Sequence, residues 1–418
     1  MQNKFSSYRD PCIDLHCGKL IDPILEPTSK ITPLDLDATS RDIASTGWHK
    51  WLKLALTDAF IEARKGKLGT HDEHDFELNW IENINRLAKS IDERTYAPGA
   101  SVSFVIHDPM VREIFAAPFR DRIIHHFLFN MQYGWWDRRF INNSYSCRKN
   151  KGTLYGIKSA QKMMQSVTNN YKEEAYIIKL DISGYFMSLS RAKIYQRVKW
   201  GLDRQFETHK TDPHIYRLYK TCDFLWHQIL FDDPVKKSWK RGDPANWSPS
   251  ILPPNKSLYQ QPAGRGIVIG NLTSQLVSNI YLDQLDRFIR YELGYKHYGR
   301  YVDDFFIMIK ANDYHKAKKD VAKIEAFLKE HLDLILHKKK RYYSKVIQGM
   351  QFLGARIYPH CLYPSDRVQA HMYRAAERVA NSLEAPDTIL SYLGLLKHLN
   401  ANHFLQKLFD NYGWDYRQ

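Results

Sequence analysis

The feature that most constrains the fold of this 418-residue chain is a pair of adjacent carboxylates between two apolar segments. Asp303 and Asp304 follow Tyr301 and Val302 in the segment YGRYVDDFFIMIK, and the flanking residues have strand-like composition. This pattern predicts a β-hairpin with both acids at its tight turn. Acids at the end of a buried strand are costly unless they are paired or bound to a metal ion. A solvated Asp-Asp turn is the alternative that so short a motif leaves open.

The charge of the chain narrows the class of partner. Lys and Arg number 61 against 46 Asp and Glu, which gives a formal net charge of +15. Such an excess suits a polyanion, because cationic side chains neutralise phosphates and release counterions. A solvated basic surface without a partner is the alternative. The hydrophobic content of 44% indicates a folded protein, and the length fits two or three domains.

Several classes of site and location are disfavoured by the sequence. The five cysteines are scattered and form no CxxC pair, so they support neither a disulfide framework nor a zinc site. The N-terminal residues MQNKFSSYRD lack the apolar region of a signal peptide, and no apolar run is long enough to span a membrane. We therefore expect a cytoplasmic protein that does not bind a membrane.

A third carboxylate follows another short apolar run. Asp181 comes at the end of AYIIKLD, and Tyr185 and Phe186 lie just beyond it. If this strand neighbours the Asp303-Asp304 hairpin, three carboxylates meet in an oxygen-ligand site suited to Mg²⁺. The two aromatic side chains could then wall off the sugar of an incoming nucleotide.

Two basic clusters lie upstream of the paired acids. The first contains Arg112, Arg120 and Arg122 beside an apolar helical face, and the second crowds Arg148 and Lys151 against a glycine. Guanidinium groups match phosphate oxygens, and a cationic Gly-containing loop also offers backbone N–H groups. Each cluster alone is typical of an ordinary basic surface, but two in succession favour contact with phosphate.

Two further segments precede the hairpin. Residues 264–275 form a Gly-punctuated turn that leads into a helix, where small residues permit close approach of a backbone. Residues 203–261 are predicted to be an ordered insertion. Its second half places Lys236, Lys237, Lys240 and Arg241 beside Trp239 and Trp247. Cations interleaved with aromatic residues suit single-stranded RNA; alternatively, both Trp residues only pin the loop to the rest of the protein.

In this order, the segments resemble the motifs of reverse transcriptases. The family pattern runs from Asp181 with Phe186 through the Gly-rich turn and YVDD to a lysine segment and FLG, and the resemblance covers residues 95–400. GIVIGNLTSQ, SYSCRKNKGT and REIFAAPFRDRIIHH are similar to a bacterial branch of the family. That branch includes the diversity-generating retroelements and the related "unknown-group" enzymes, several of which are linked to phage defence.

The resemblance implies an α+β fold. It implies a right-hand polymerase with fingers, a palm of antiparallel sheet plus helices, and a helical thumb. We predict an N-terminal helical extension at 1–95, fingers at 96–175, a palm at 176–360 that contains the insertion 203–261, and a helical thumb at 361–418.

The resemblance also implies site residues. Asp181, Asp303 and Asp304, with the backbone carbonyl of Ile182, would hold two Mg²⁺ ions, for which Mn²⁺ could substitute. Lys340 would protonate the leaving pyrophosphate, and Gly354 would turn the primer grip. The residues implied to contact the nucleotide are Arg112, Arg148, Lys151, Phe186, Ile269, Gly270, Ser274 and Gln275.

Two of these nucleotide contacts carry a specific expectation. Phe186 would be the gate that rejects a ribose 2′-hydroxyl, which argues against an RNA-dependent RNA polymerase. Ile269 stands where the retroviral and group II intron enzymes have Gln, so the resemblance does not imply high fidelity.

The predicted function is RNA-directed DNA synthesis from dNTPs, with a dedicated noncoding RNA copied in bacterial antiphage defence. The alternative is the mutagenic enzyme of a diversity-generating retroelement. An alternative of another class is a catalytically inactive RNA-binding protein, which retention of all three acids disfavours. Residues 1–95 and 203–261 exceed a bare polymerase core, so they could bind the noncoding RNA, a second protein subunit or another copy of the chain.

Overall fold

The computed structural model describes residues 33–65, 70–107, 110–381 and 387–414. The α-helices in these residues are α1 Leu36–Thr46, α2 Trp48–Arg64, α3 His71–Leu78, α4 Trp80–Asp92, α5 Phe119–Asp137, α6 Thr153–Val167, α7 Tyr185–Ser188, α8 Arg191–Gln205, α9 Pro213–Phe231, α10 Pro234–Lys237, α11 Leu272–Arg287, α12 Tyr314–Leu332, α13 Asp366–Ala380, α14 Asp387–Leu396 and α15 Asn402–Tyr412. The strands are β1 Val102–Ile106, β2 Arg112–Ala116, β3 Ala175–Asp181, β4 Trp239–Lys240, β5 His297–Tyr301, β6 Asp304–Lys310, β7 Tyr342–Lys345, β8 Met350–Phe352, β9 Ala355–Ile357 and β10 Leu362–Pro364.

The N-terminal helices are part of the main body of the protein. In α2, Leu52, Leu56 and Phe60 are buried at a spacing of four residues, which gives the helix one apolar face. This helix packs against α4 and α5, and its buried residues belong to the same apolar core as the central sheet. The predicted helical extension is therefore helical from α1 onward, while residues 1–32 lie outside the described part of the chain.

A four-stranded antiparallel sheet lies at the centre, in the order β5-β6-β3-β7. β5 and β6 form the predicted hairpin, and β3 pairs along the other side of β6. The register places Asp181 directly opposite Asp304. Because directly opposed residues of antiparallel strands project on the same face, Asp181 at the end of β3 and Asp304 at the start of β6 face the same side.

A second sheet joins distant parts of the chain, in the order β2-β1-β4. β1 and β2 are antiparallel, whereas β4 runs parallel to β1. The N–H of Trp239 donates to the Ser101 carbonyl at 3.2 Å, and that of Arg241 donates to the Ser103 carbonyl at 2.8 Å. The second half of the predicted insertion is thus attached to the β1-β2 hairpin, within the predicted fingers. The first half contains α9, which packs against α8 and carries a buried apolar face.

The C-terminal part begins with a small antiparallel sheet in the order β10-β9-β8. A boundary at residue 361 would separate β10 from its partner β9, so the break between sheet and helices falls after Pro364. Helices α13, α14 and α15 follow, and α13 packs against both of the others.

The α+β expectation is confirmed, because helices surround sheets whose long pairings are antiparallel. Among the helices described here, none is both long and apolar enough to cross a membrane.

Candidate active site

The turn between β5 and β6 has an unusual backbone conformation. It consists of Val302 and Asp303, and Val302 has φ of +54°. This left-handed region is unfavourable for a β-branched residue, and such conformations persist only where surrounding contacts enforce them. Val302 is also buried. The surrounding contacts therefore have to fix the backbone of the turn that carries both acids.

Arg300 supplies one of those contacts. Its side chain is 0% exposed; Nη1 donates to the Val302 carbonyl at 3.0 Å, while Nε and Nη2 donate to the two oxygens of Asp286 at 2.7 and 2.6 Å. Burial alone would lower the pKa of Arg300, but the attraction and hydrogen bonds of Asp286 raise it above its ordinary value. The guanidinium is therefore a permanently charged, fully buried support for the turn.

The three predicted metal-binding acids lie around this turn. Asp181 pairs directly with Asp304, and the Cβ atoms of residues paired in this way are typically about 4.5–5.5 Å apart. The N–H of Ile182 donates to the carbonyl of Asp303 at 3.2 Å, so the backbone after β3 runs beside the turn. The strand pairing therefore brings Asp181, Ile182, Asp303 and Asp304 together in one part of the sheet.

Two lysines contact these acids. Nζ of Lys340 lies 3.1 Å from both carboxylate oxygens of Asp181, and Nζ of Lys179 lies 2.8 Å from Asp304. Two of the three carboxylates are thus already paired with a lysine ammonium group. Lys340 was predicted from the sequence to be a catalytic residue, whereas Lys179 was not predicted.

The donor chemistry of this cluster fits Mg²⁺. Carboxylate and carbonyl oxygens are the ligands that this hard cation takes, and the lysine contacts show that the acids attract positive charge. Across residues 33–65, 70–107, 110–381 and 387–414, however, no three acidic, His or Cys side chains are already grouped as a ligand shell. Two of the acids instead contact Lys340 and Lys179.

The two aromatic residues after Asp181 have different environments. Gly184 has φ of +55° and precedes α7. Tyr185 is buried and donates to the Ser278 carbonyl at 2.9 Å, and this burial raises its pKa. Phe186 is only partly buried, and its backbone carbonyl accepts from the N–H of Ile267 at 3.0 Å. Of the pair, only Phe186 keeps exposed ring surface.

The Gly-rich turn packs against β2. The carbonyl of Ile269 accepts a 3.3 Å hydrogen bond from the N–H of Phe115. Gly270 has φ of +126°, and a Cβ atom there would lie 3.2 Å from the Phe115 carbonyl. Gly270 thus permits the turn to lie close to the protein's own backbone at Phe115. Gln275, one helical turn into α11, is half-buried.

A cavity of about 60 Å³ lies behind this turn. Ser274 and Thr273 line it, together with His125, whose Nδ1 lies 2.7 Å from the Thr273 hydroxyl. Burial, with smaller effects of His126 and Arg122, lowers the pKa of His125 to about 3, so the imidazole is neutral. Ser274 is itself buried, and it borders this cavity.

Arg148, which was predicted to contact the triphosphate, has its guanidinium turned to the protein itself. Its side chain is only 5% exposed and pairs with Asp137 at 2.7 Å. Nη1 donates to the carbonyls of Ile141 and Ser144 at 2.6 and 3.1 Å, and Nη2 donates to the Asp137 carbonyl at 2.9 Å. All three nitrogens therefore bind the protein itself, and Arg148 stabilises the loop that contains it.

The other two predicted phosphate contacts are more accessible. Nζ of Lys151 donates to the Asn142 carbonyl at 2.9 Å and lies 4.3 Å from the Tyr155 ring centroid; it is on the exposed side of the loop. Arg112 is half-buried at the start of β2, opposite Ile106 of β1. Either cation can be approached from solvent.

Comparison with known protein families gives a decisive match. The model of the family described as "Reverse transcriptase (RNA-dependent DNA polymerase)" matches residues 111–357. This region contains the four strands of the central sheet and all three acids. The chain belongs to the reverse transcriptase family.

A solved structure of telomerase from Candida albicans, in complex with a fragment of telomeric RNA, is similar to this reverse transcriptase. The TM-score is 0.40 and the sequence identity 11%, with 81% of this chain and 59% of the telomerase chain covered. This protein thus spans about three fifths of that relative's length. The comparison with curated proteins found no match.

Some of the residues that shape this reverse transcriptase site were missed from the sequence. Arg300 and Asp286 form the buried pair under the turn, and Ser146 accepts from the N–H of Val302 at 3.1 Å. A usable signal existed only for Arg300, since a charged residue within a buried hairpin strand requires a partner. Asp286 and Ser146 are distant in sequence and carry no such signal.

Proposed function

We propose that this protein is an RNA-directed DNA polymerase that copies an RNA template into DNA from dNTPs. The observation that carries the proposal is the direct cross-strand pairing of Asp181 with Asp304 beside the Asp303 turn. In a chain of the reverse transcriptase family, this is where three carboxylates are needed. A degenerate, inactive RNA-binding relative would be expected to have lost at least one of them.

Asp181, Asp303 and Asp304 would hold two Mg²⁺ ions, with the Ile182 carbonyl as a further ligand. When bound, the ions supply activation of the primer 3′-hydroxyl and stabilisation of charge on the triphosphate. Mn²⁺ could take the same positions, because it accepts the same oxygen ligands. The lysines that now contact the acids keep the cluster neutralised until then.

Other residues would take the remaining roles. Lys340 can reach a leaving pyrophosphate once it releases Asp181, because it lies on a long exposed stem, and would donate a proton there. Lys151 and Arg112 would contact the triphosphate. Phe186 would close the sugar pocket against a 2′-hydroxyl, while Ile269, Gly270, Ser274 and Gln275 would shape the wall behind the nucleotide.

The template proposed is a dedicated noncoding RNA, copied in antiphage defence. Support comes from α1–α4 and from the segment around β4, which extend the protein beyond the bare polymerase core and could bind RNA, a second subunit or another copy of the chain. The alternative is mutagenic copying in a diversity-generating retroelement, which Ile269 favours because an apolar residue stands where other branches have Gln. A neighbouring variable-protein gene with template and variable repeats would decide for diversification.

Primer extension with the purified full chain tests the activity. An RNA template with an annealed DNA primer, dNTPs and Mg²⁺ should give extended DNA, and chelation of the metal should stop the reaction. A DNA product absent under all of these conditions, with RNA binding intact, would favour the inactive RNA-binding alternative.

A further inference from the structure

The conformation of the catalytic turn depends on five residues outside it, which we term the turn-holding cluster. They share buried polar side chains that converge on Val302 from three parts of the chain. The members are Ser144, Ser146, Asn279, Asp286 and Arg300. We propose that this cluster positions Asp303 for metal binding by holding Val302 in its left-handed conformation. The inference rests on the proposed function of the three acids.

The first step is that both polar groups of Val302 are engaged by the cluster. Its N–H donates to Oγ of Ser146 at 3.1 Å, and its carbonyl accepts from Nη1 of Arg300 at 3.0 Å. A buried backbone group that loses its partner is strongly unfavourable. The two bonds therefore select the left-handed conformation of Val302, and with it the direction in which the next residue, Asp303, leaves the turn.

The second step is that Arg300 is itself fixed on every side. Asp286 of α11 binds it through two oxygens, and Nη2 also donates to Oγ of Ser144 at 3.0 Å. A bidentate guanidinium–carboxylate pair fixes orientation as well as charge. The Val302 carbonyl is thus aligned by a side chain whose three nitrogens are all bonded to protein acceptors.

The third step is that the two serines are also held in place. Backbone bonds of 2.9 Å join the Tyr145 N–H to the Arg300 carbonyl and the Arg300 N–H to the Asn143 carbonyl. Nδ2 of Asn279 donates to the Ser146 carbonyl at 2.9 Å. Arg148 fixes the start of this segment by donating to the Ser144 carbonyl. The arginine predicted to contact phosphate therefore stabilises the support of the turn.

None of these groups touches a reacting atom, so they are positioning residues. Partners that orient metal ligands in this way typically change metal affinity by roughly 10–100-fold when they are removed. The decisive variant is Ser146→Ala, which deletes one hydroxyl and leaves the Arg300–Asp286 pair intact. The matched control is Ser159→Ala, because Ser159 also makes a side-chain bond, to Tyr145 at 3.0 Å, but does not contact the turn.

The experiment measures Mn²⁺ binding to the nucleotide-free full chain by electron paramagnetic resonance. We expect Ser146→Ala to weaken binding roughly tenfold, with Ser159→Ala equal to the wild type. In primer extension, the Mg²⁺ concentration for half-maximal rate should rise by a similar factor, while the dNTP KM at saturating Mg²⁺ stays unchanged. Ser144→Ala, which loosens Arg300 instead, should give a smaller shift in the same direction.

A wrong assignment of the acids and a wrong positioning role for the cluster would give different results. If Asp303→Ala leaves Mn²⁺ binding unchanged, the assignment of the acids is wrong and the proposed function loses its basis. If Asp303→Ala abolishes binding but Ser146→Ala and Ser144→Ala both bind Mn²⁺ like the wild type, the acids bind metal and the positioning role of the cluster is overturned.

Discussion

The basic side chains near the turn and those in the segment around β4 differ in their exposure to solvent. Arg300, at the turn, is fully buried and donates only to fixed protein acceptors. We define the β4 surface as Lys236, Lys237, Trp239, Lys240, Arg241 and Trp247. The side chain of Lys236 is 81% exposed and Trp239 is 57% exposed. One region fixes a geometry, and the other presents charge to solvent.

Aromatic rings organise the β4 surface without burying its cations. Nζ of Lys240 lies 4.3 Å from the ring centroid of Tyr259 and 5.3 Å from that of Trp247, and the guanidinium of Arg241 lies 5.0 Å from Phe104. Such contacts are weak when exposed. We therefore expect single substitutions at the turn to have large effects on polymerase activity. Substitutions on the β4 surface should instead have small, additive effects on RNA affinity that depend on the salt concentration.

The largest effect is expected at the acids. Replacing Asp303 and Asp304 together by Ala should lower primer extension by at least about a thousandfold, because the metal ions contribute several kcal/mol to transition-state stabilisation. RNA binding and the melting temperature should change little. The charge-matched control is Glu82→Ala, on the exposed face of α4, with Glu93→Ala, an exposed residue directly after that helix. Mg²⁺-dependent extension near the wild-type rate in the acid variant would contradict the metal assignment.

Lys340→Ala should have the next largest effect. Loss of a positioned proton donor typically costs about 100-fold in rate, and the removal of Nζ from Asp181 should at the same time strengthen Mn²⁺ binding. The control is Lys338→Ala, a neighbouring exposed lysine. Single-turnover extension and Mn²⁺ titration measure the two effects. An unchanged rate would show that Lys340 only neutralises Asp181.

Phe186→Ala should relax sugar selection by a smaller factor. An open pocket rejects an added hydroxyl only weakly, so the preference for dGTP over GTP should fall by roughly 10–100-fold. Tyr185→Phe serves as the control, because the ring of Tyr185 is buried and its hydroxyl binds a protein carbonyl. Competition between the two nucleotides in primer extension gives the ratio. If Phe186→Ala leaves that ratio unaltered, another residue forms the gate.

The smallest effect is expected on the β4 surface. Replacing the four basic residues Lys236, Lys237, Lys240 and Arg241 by Gln should weaken RNA binding and make its salt dependence shallower. The slope of log affinity against log salt should change by about 0.7 for each RNA phosphate that the variant no longer neutralises. Thermal stability should stay the same, since most of these side chains are exposed.

A charge-matched variant separates this effect from overall charge. It replaces four exposed lysines of α12 by Gln: Lys316, Lys319, Lys323 and Lys329. If both variants alter the slope equally, the β4 surface has no special role in RNA binding. If neither alters the slope, the segment serves structure or protein contact.

Local patterns predicted the parts of this fold that depend on neighbouring residues. The strand-like apolar composition on both sides of Asp303 and Asp304 predicted the β5-β6 hairpin, and the Gly-punctuated turn at 264–275 predicted that a helix follows it. The strand ending at Asp181 was predicted too, so the acids could be expected near one another. Their assignment as metal ligands remains a prediction.

Contacts between distant residues could not be predicted in this way. Arg148 and Lys151 look equivalent in sequence, yet the side chain of Arg148 is buried against Asp137, whereas Lys151 is half-buried and bonds the Asn142 carbonyl. Similarly, nothing local indicates that Trp239 pairs with Val102 across the chain. A basic or aromatic residue has the same sequence signature whether its partner is solvent, nucleic acid or a distant backbone carbonyl.

Arg300 and Ser144 are in contact but far apart in the sequence, which has a consequence for the order of folding. The two residues are 156 positions apart, and such distant contacts form late because the intervening chain has to be ordered first. During synthesis on the ribosome, the turn can reach its working shape only after β5 has emerged and docked beside residues 143–146. Catalytic competence should therefore arrive as one of the last events of folding, well after most helices have formed.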